Sequence, residues 1–366
     1  MKSNYRKLGE FIRQVDVRNT DGKEENLLGV SVQKVFIPSI ANTVGTDFTK
    51  YKVVKKGQFT YIPDTSRRGD KIGIALLEDY EEGLVSNVYT VFEIIDEKQL
   101  LPEYLMLWFR RPAFDRYARF KSHGSVREVM DWEEMCNVEL PVPDVSDQRI
   151  IIEAYKIVED RINLKQKIND SLDSIIYVKF QEMFQNQKKC LFSGNSLDGW
   201  SLAPLSDLAS FKYGKMVPVE NICETGFPIY SGYRVVGYCN KYMFKEPQLV
   251  VLARGVSGTG EVRISPPCCH LTNLSIAVLL NDRVYMNYLL YYLENDNLIS
   301  LDSGSAQSQI TINDLSVHKI MIPPYDKVLD FENFAKVLLE VIDDNNKEIK
   351  KLEELIYTML TTLSSR

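Results

Sequence analysis

Pro102-Glu103-Tyr104-Leu105-Met106-Leu107-Trp108-Phe109 and Met286-Asn287-Tyr288-Leu289-Leu290-Tyr291-Tyr292-Leu293 are two versions of one segment, about 184 residues apart. The residues downstream of each repeat as well. After the first come Gly124-Ser125, a stretch rich in hydroxyl and amide groups, Leu140-Pro141-Val142-Pro143 and a long amphipathic run. After the second come Gly304-Ser305, another such stretch, Ile322-Pro323-Pro324 and another long run. Upstream, Leu205-Ser206-Asp207-Leu208 echoes Leu8-Gly9-Glu10-Phe11, and Leu271-Thr272-Asn273 echoes Val85-Ser86-Asn87. A repeated unit of this size is a whole domain plus its helix rather than a solenoid repeat. Two similar recognition units suit a partner with two similar sites, and duplex DNA is the commonest. The offsets drift between about 180 and 197, so loops of unequal length sit on one scaffold. Such loops are where different sequences can be read.

The amphipathic runs set the architecture. No Gly or Pro occurs between Ser146 and Cys190. Ile151, Val158, Ile162, Ile168 and Leu172 recur at three- and four-residue steps or their sums, which predicts one helix of about 36 residues. A helix that long needs a partner for its apolar stripe. The second run offers Leu338, Val341, Leu352, Ile356 and Met359. Arg161, Lys165 and Asn345 interrupt the stripes, either as register-fixing polar positions or as exposed edge residues. The expected layout is an α/β domain over 1–146, a long helix over 147–189, a second α/β domain over 196–325 and a second long helix over 326–366, with a polar linker near 186–199. Within the first domain, 27–32, 58–62 and 90–95 read as strands and 101–120 as helical, starting at Pro102. The fold class is α+β.

Composition restricts the function. The chain has 366 residues, 45% of them hydrophobic and 11% aromatic, enough for two cores. No stretch of about 18 apolar residues suggests a membrane span, and the start, Met1-Lys2-Ser3-Asn4-Tyr5-Arg6-Lys7, does not read as a signal peptide. Cys136, Cys190, Cys223, Cys239, Cys268 and Cys269 form no CxxC pair and read as reduced thiols in the cytoplasm. Cys268-Cys269-His270 lacks the spacing of a metal site. The net charge of −6 is awkward for a self-sufficient DNA binder and points to a subunit whose partners supply phosphate contacts.

Candidate contacts with DNA gather in loops. In the first copy they are Lys34, Lys55 in the cluster Lys50-Lys52-Lys55-Lys56, Arg67, Arg68 and Lys71 in one polar loop, and Lys121, His123, Ser125 and Arg127 after Arg110, Arg111, Arg116 and Arg119. Arginine suits phosphate clamping and guanine edges. In the second copy they are Tyr233 and Arg234, then Arg254, Ser257 and Thr259 in a glycine-rich loop, and Ser305, Gln307 and Gln309. Each of these, taken singly, is also what a solvated surface would show. The glycine-rich loop lacks the GxxxxGK[ST] form of a nucleotide site. Ile322-Pro323-Pro324-Tyr325 imitates the Asn/Asp-Pro-Pro-aromatic signature of amino-methyltransferases, but Ile322 cannot hold an amino group. Pro63-Asp64 with Asp96-Glu97-Lys98 is a loose nuclease-like pattern that arises often by chance.

Gly124-Ser125-Val126-Arg127, Trp132-Glu133-Glu134-Met135, Val138-Glu139-Leu140-Pro141-Val142-Pro143 and Gln148-Arg149-Ile150-Ile151, in that order, resemble the specificity (S) subunit of Type I restriction-modification systems. The resemblance covers the whole chain, whose layout is target-recognition domain, long helix, target-recognition domain, long helix. It departs in the second copy, where Asp330 is read at the place of Gln148. The resemblance implies two helices paired as an antiparallel coiled coil and one domain per half of a split DNA sequence. It also implies no catalytic residue and no cofactor on this chain. Two methyltransferase subunits with S-adenosylmethionine, and restriction subunits with ATP and Mg, would be the partners. The competing readings are a free-standing methyltransferase or nuclease, and a DNA-mimicking scaffold on the same duplication.

Overall fold

A computed structural model describes residues 5–39, 45–65, 71–122, 128–185, 198–255, 258–301 and 308–363. The chain divides into two compact units, Met1–Lys165 with Asn346–Arg366, and Gln166–Asn345. These cut across the four linear segments read from the sequence, because each unit takes part of both long helices.

In the first unit, strands Ile12–Val15, Thr90–Ile94, Phe59–Tyr61 and Ile74–Leu76 form one antiparallel sheet in that order. Helices α1 (Pro102–Phe109) and α2 (Pro112–Lys121) contribute to the same core. Phe59 and Phe92 stack with centroids 4.9 Å apart, and Phe109 meets both rings edge-on. The single helix expected over 101–120 is two helices. Pro112 disfavours a helical residue before it, and Arg111 accordingly turns extended, with ψ 134°. The short helix α3 (Trp132–Cys136) leads into strand Glu139–Pro141, which pairs with Tyr5–Lys7.

The second unit repeats this plan. Ala209–Tyr213, Ser275–Leu280, Leu249–Leu252 and Val262–Ile264 form an antiparallel sheet in the corresponding order. Ser201–Pro204 pairs with Lys319–Ile322, as the first strand does in the other unit. Tyr104 donates to the Pro141 carbonyl at 3.1 Å, and Tyr288 to the Met321 carbonyl at 2.5 Å. The repeated helical segment therefore holds the same strand in each unit. The second unit adds a sheet of Ile222–Cys223, Arg234–Cys239, Phe227–Ser231 and His270–Leu271.

After α4 (Val145–Phe180), α5 (Met286–Glu294) and α6 (Ile312–Val317) comes α7 (Tyr325–Thr362). The 36 residues of α4 match the expected length, and α7 has 38. In the first unit, Ile152 and Tyr155 share a core with Leu360 and Leu363, and Glu348 accepts ion pairs from Arg161 and, at 2.8 Å, Lys165. In the second, Ile176 and Phe180 share a core with Phe331 and Ala335. Rising numbers on α4 meet falling numbers on α7 in both units, so the helices pair antiparallel.

The buried seam follows a seven-residue step, Tyr155-Ile162-Asn169-Ile176 on α4. Of the residues expected to pair, Ile162 is buried, and Ile151, Val158, Leu172, Leu338, Leu352, Ile356 and Met359 are half-buried. Ile168 and Val341 are corrections, 40% and 45% exposed. Their neighbours Asn169 and Ile342 take the inward places, because one residue turns a helix by about 100°. Asn345 donates from Nδ2 to Asn169 Oδ1 at 2.8 Å, both side chains buried. It is thus a seam position rather than an edge.

Candidate nucleic-acid interface

The central sheets position the loops that carry most of the candidate residues. In the first unit, Asp64 and Val129 form an antiparallel bridge. Beside it, the Thr65 N–H donates to the Glu128 carbonyl at 3.0 Å, and the Thr65 hydroxyl to Ser122 Oγ at 2.8 Å. The ends of segments 66–70 and 123–127 are therefore tied together. In the second unit, Arg254 and Gln309 form the corresponding bridge, and the Ile310 N–H donates to the Ala253 carbonyl at 2.9 Å. This brings together the ends of segments 256–257 and 302–307. Arg67, Arg68, His123, Ser125, Arg127, Ser257, Ser305 and Gln307 lie outside the described residues.

Much of the first unit's basic cluster is neutralised internally. Lys34 is only 5% exposed, its Nζ 2.7 Å from Asp115, and burial pushes its ammonium below the ordinary lysine range. It ties α2 to the turn between strands Leu28–Val30 and Phe36–Pro38 and is corrected from a DNA contact to a structural ion pair. Arg110 pairs with Glu159 at 3.0 Å, Arg119 with Glu128, and Lys121 with Glu134 at 3.3 Å. Arg111 is buried 3.7 Å over the Trp108 ring. Lys56 pairs with Glu81 at 2.9 Å and Lys52 with Asp16 at 3.6 Å. Lys55, Lys71 and Arg116 are exposed. Residue type and spacing show a cation run, but only the tertiary contacts show which charges are already spent within the protein.

In the second unit three expected residues come together. Tyr233, Arg234 and Arg254, with Val236, Leu252 and Leu274, line a concavity of about 240 Å³. Tyr233 and Arg234 stand at the tip of the hairpin of Phe227–Ser231 and Arg234–Cys239, where Ser231 pairs with Arg234. Gly232 turns that corner at φ 66°, and a Cβ there would lie 2.8 Å from Leu252. The tip is held to the central sheet, since the Gly232 N–H donates to Ser275 Oγ at 3.2 Å and Thr272 Oγ1 to Ser231 Oγ at 3.0 Å. Tyr233 is 53% exposed, with the Arg234 guanidinium 5.9 Å from its ring centroid. Arg254 is exposed and Gln309 half-buried. Thr259 is corrected: it is 5% exposed and bonds the Gly255 carbonyl at 3.4 Å. Val236, Leu252 and Leu274 carry no sign in the sequence that the fold brings them to one concavity.

Residues 3–174 and 198–355 match the Type I restriction modification DNA specificity domain. The chain belongs to this specificity family. Relatives include the Type I restriction enzyme MjaIX specificity subunit of Methanocaldococcus jannaschii, 23% identical over 305 residues, covering 74% of this chain and 70% of that protein. The HindI specificity subunit of Haemophilus influenzae is 24% identical over 166 residues, covering 43% and 36%. A solved S subunit of a Type I restriction-modification system from M. genitalium shares the fold, with TM-score 0.64, 15% identity and coverage of 98% of this chain and 95% of that one. As a member of the specificity family, the chain is a two-domain recognition subunit and not an enzyme.

Gln148, at the start of α4, has a structural part in the first unit. This side chain is fully buried, accepts from the Leu101 N–H and donates to the Gln99 and Pro143 carbonyls, each at 2.8 Å. It fastens the loop before α1 to the start of α4. The residue at that place in the second copy is Val328, also fully buried, while Asp330 is exposed. Among the described residues no cluster of His, Cys, Asp or Glu could hold a metal ion, and no helix is long and apolar enough to cross a membrane.

Proposed function

We propose that this specificity subunit reads a split duplex-DNA target, one recognition domain per half-site, with α4 and α7 setting the unspecified gap. The observation that carries this reading is the repeated construction: the same sheet order in both units and a corresponding strand bridge, Asp64 with Val129 and Arg254 with Gln309. A helix of 36 residues spans about 54 Å, the scale of one to one and a half turns of DNA. The reading groups are Lys55, Lys71, Arg67, Arg68, Lys121, His123, Ser125 and Arg127 for one half, and Tyr233, Arg234, Arg254, Ser257, Ser305, Gln307 and Gln309 for the other. Lys121 would have to leave Glu134 to take part.

Catalysis belongs to partners in this reading. Two methyltransferase subunits bring S-adenosylmethionine, restriction subunits bring ATP and Mg, and the assembly works in the cytoplasm. The acidic balance agrees with partners that add phosphate contacts. The test is to co-express the chain with a Type I methyltransferase subunit from the same source and map methylated adenines across the host genome. A split motif with a fixed gap is expected. Exchanging residues 200–325 for those of a relative should change one half only. Absence of a split motif, or methylation by the chain alone, would overturn the proposal.

A further inference from the structure

We propose that the concavity in the second unit reads the major-groove edge of a guanine beside a thymine, Arg254 taking the guanine and Val236 the thymine methyl. The inference rests on the DNA-reading function proposed above. Among the described residues, no acidic side chain lines the concavity, and its two charged groups, Arg234 and Arg254, are both donors. Guanine is the base that offers two acceptors, O6 and N7, to the planar fork of an arginine, and thymine alone puts a methyl group in the major groove. Of the remaining wall, Leu252 is buried beside Ser231 and Gly232, while Val236 and Leu274 are apolar and open to solvent. Val236 is 52% exposed, Leu274 37%, and Val235 beside them 44%. Three neighbouring apolar residues open to water make a patch rather than a scattered surface residue, and such a patch marks an apolar contact. Tyr233 and Arg234 end a hairpin within the four-stranded sheet, and a hairpin of such a sheet can put its tip into the major groove, about 12 Å wide. This one is held at its tip by Gly232, Ser275 and Thr272, so it would meet DNA already shaped.

The two units differ at this point. Where the second bridges Arg254 to Gln309, the first bridges Asp64 to Val129. A carboxylate accepts where the guanidinium donates, so the guanine preference belongs to one half-site.

The experiment uses the co-expressed complex with the methyltransferase and the target found by adenine mapping. The half changed by exchanging residues 200–325 should contain adjacent G and T. Replacing that thymine by uracil should weaken binding about fourfold, the worth of one buried methyl. Replacing the guanine by 7-deazaguanine, which lacks N7, should weaken it about tenfold. Val236→Ser should abolish the thymine–uracil difference, and Arg254→Ala the 7-deazaguanine effect. The analogue arms use unmodified protein and so do not depend on a variant folding. A split motif lacking the G–T step, or equal binding of thymine and uracil duplexes, overturns this proposal alone. Absence of any split motif overturns the underlying reading with it.

Discussion

Single side chains hold the recognition domains in shape, and some of them look functional until their neighbours are seen. Lys34 resembles a DNA contact in the sequence but sits beside Asp115 with 5% exposure. Asp115→Ala should cost about 3–5 kcal/mol in urea unfolding, because it strands a buried ammonium. Lys34→Met combined with Asp115→Leu should recover most of that loss. Gln148→Ala should destabilise by about 2–4 kcal/mol, since an N–H and two carbonyls lose their partner. Gln148 was legible as part of a family signature, but its role was not. Its partners Leu101 and Gln99 lie far from it in the chain, and only folding brings them within 2.8 Å.

The long helices were the most legible elements, because a stripe repeating over many turns leaves few alternatives to a helix pair. Which residue faces inward was less legible. An apolar pattern favours Ile168 over Asn169, yet Asn169 is buried on Asn345. Asn345→Leu alone should destabilise by about 1–3 kcal/mol, because it removes the hydrogen bond between the two buried amides. Asn169→Leu with Asn345→Leu should regain or exceed the original melting temperature while loosening register, the exchange seen when polar seam residues are removed. The Glu348 carboxyl is held below its ordinary pKa of 4.5 by Lys165 and then Arg161. A lowered carboxyl pKa adds stability above about pH 4.5, lost as the pH falls through the folded value. Glu348→Gln should flatten acid unfolding in that window and remove its salt sensitivity.

At the scale of the molecule, duplication and acidity together shape the expected behaviour. With a net charge of −6 and much of the first unit's cation run paired internally, the isolated chain should bind duplex DNA weakly. Its log-affinity should fall with log salt more shallowly than that of the complex with methyltransferase subunits, measured by titration at several salt concentrations. Equal slopes would show that the partners add no phosphate contacts. The sequence by itself determined the duplication, the long helices, the α+β class and the family, because these rest on repeats and periodicities that survive without coordinates. Only the tertiary structure decided which cations are neutralised, which amide enters the helix seam, and that Tyr233, Arg234 and Arg254 meet with Val236 in one concavity. Those facts depend on contacts between residues distant in the chain, and local pattern carries no record of them.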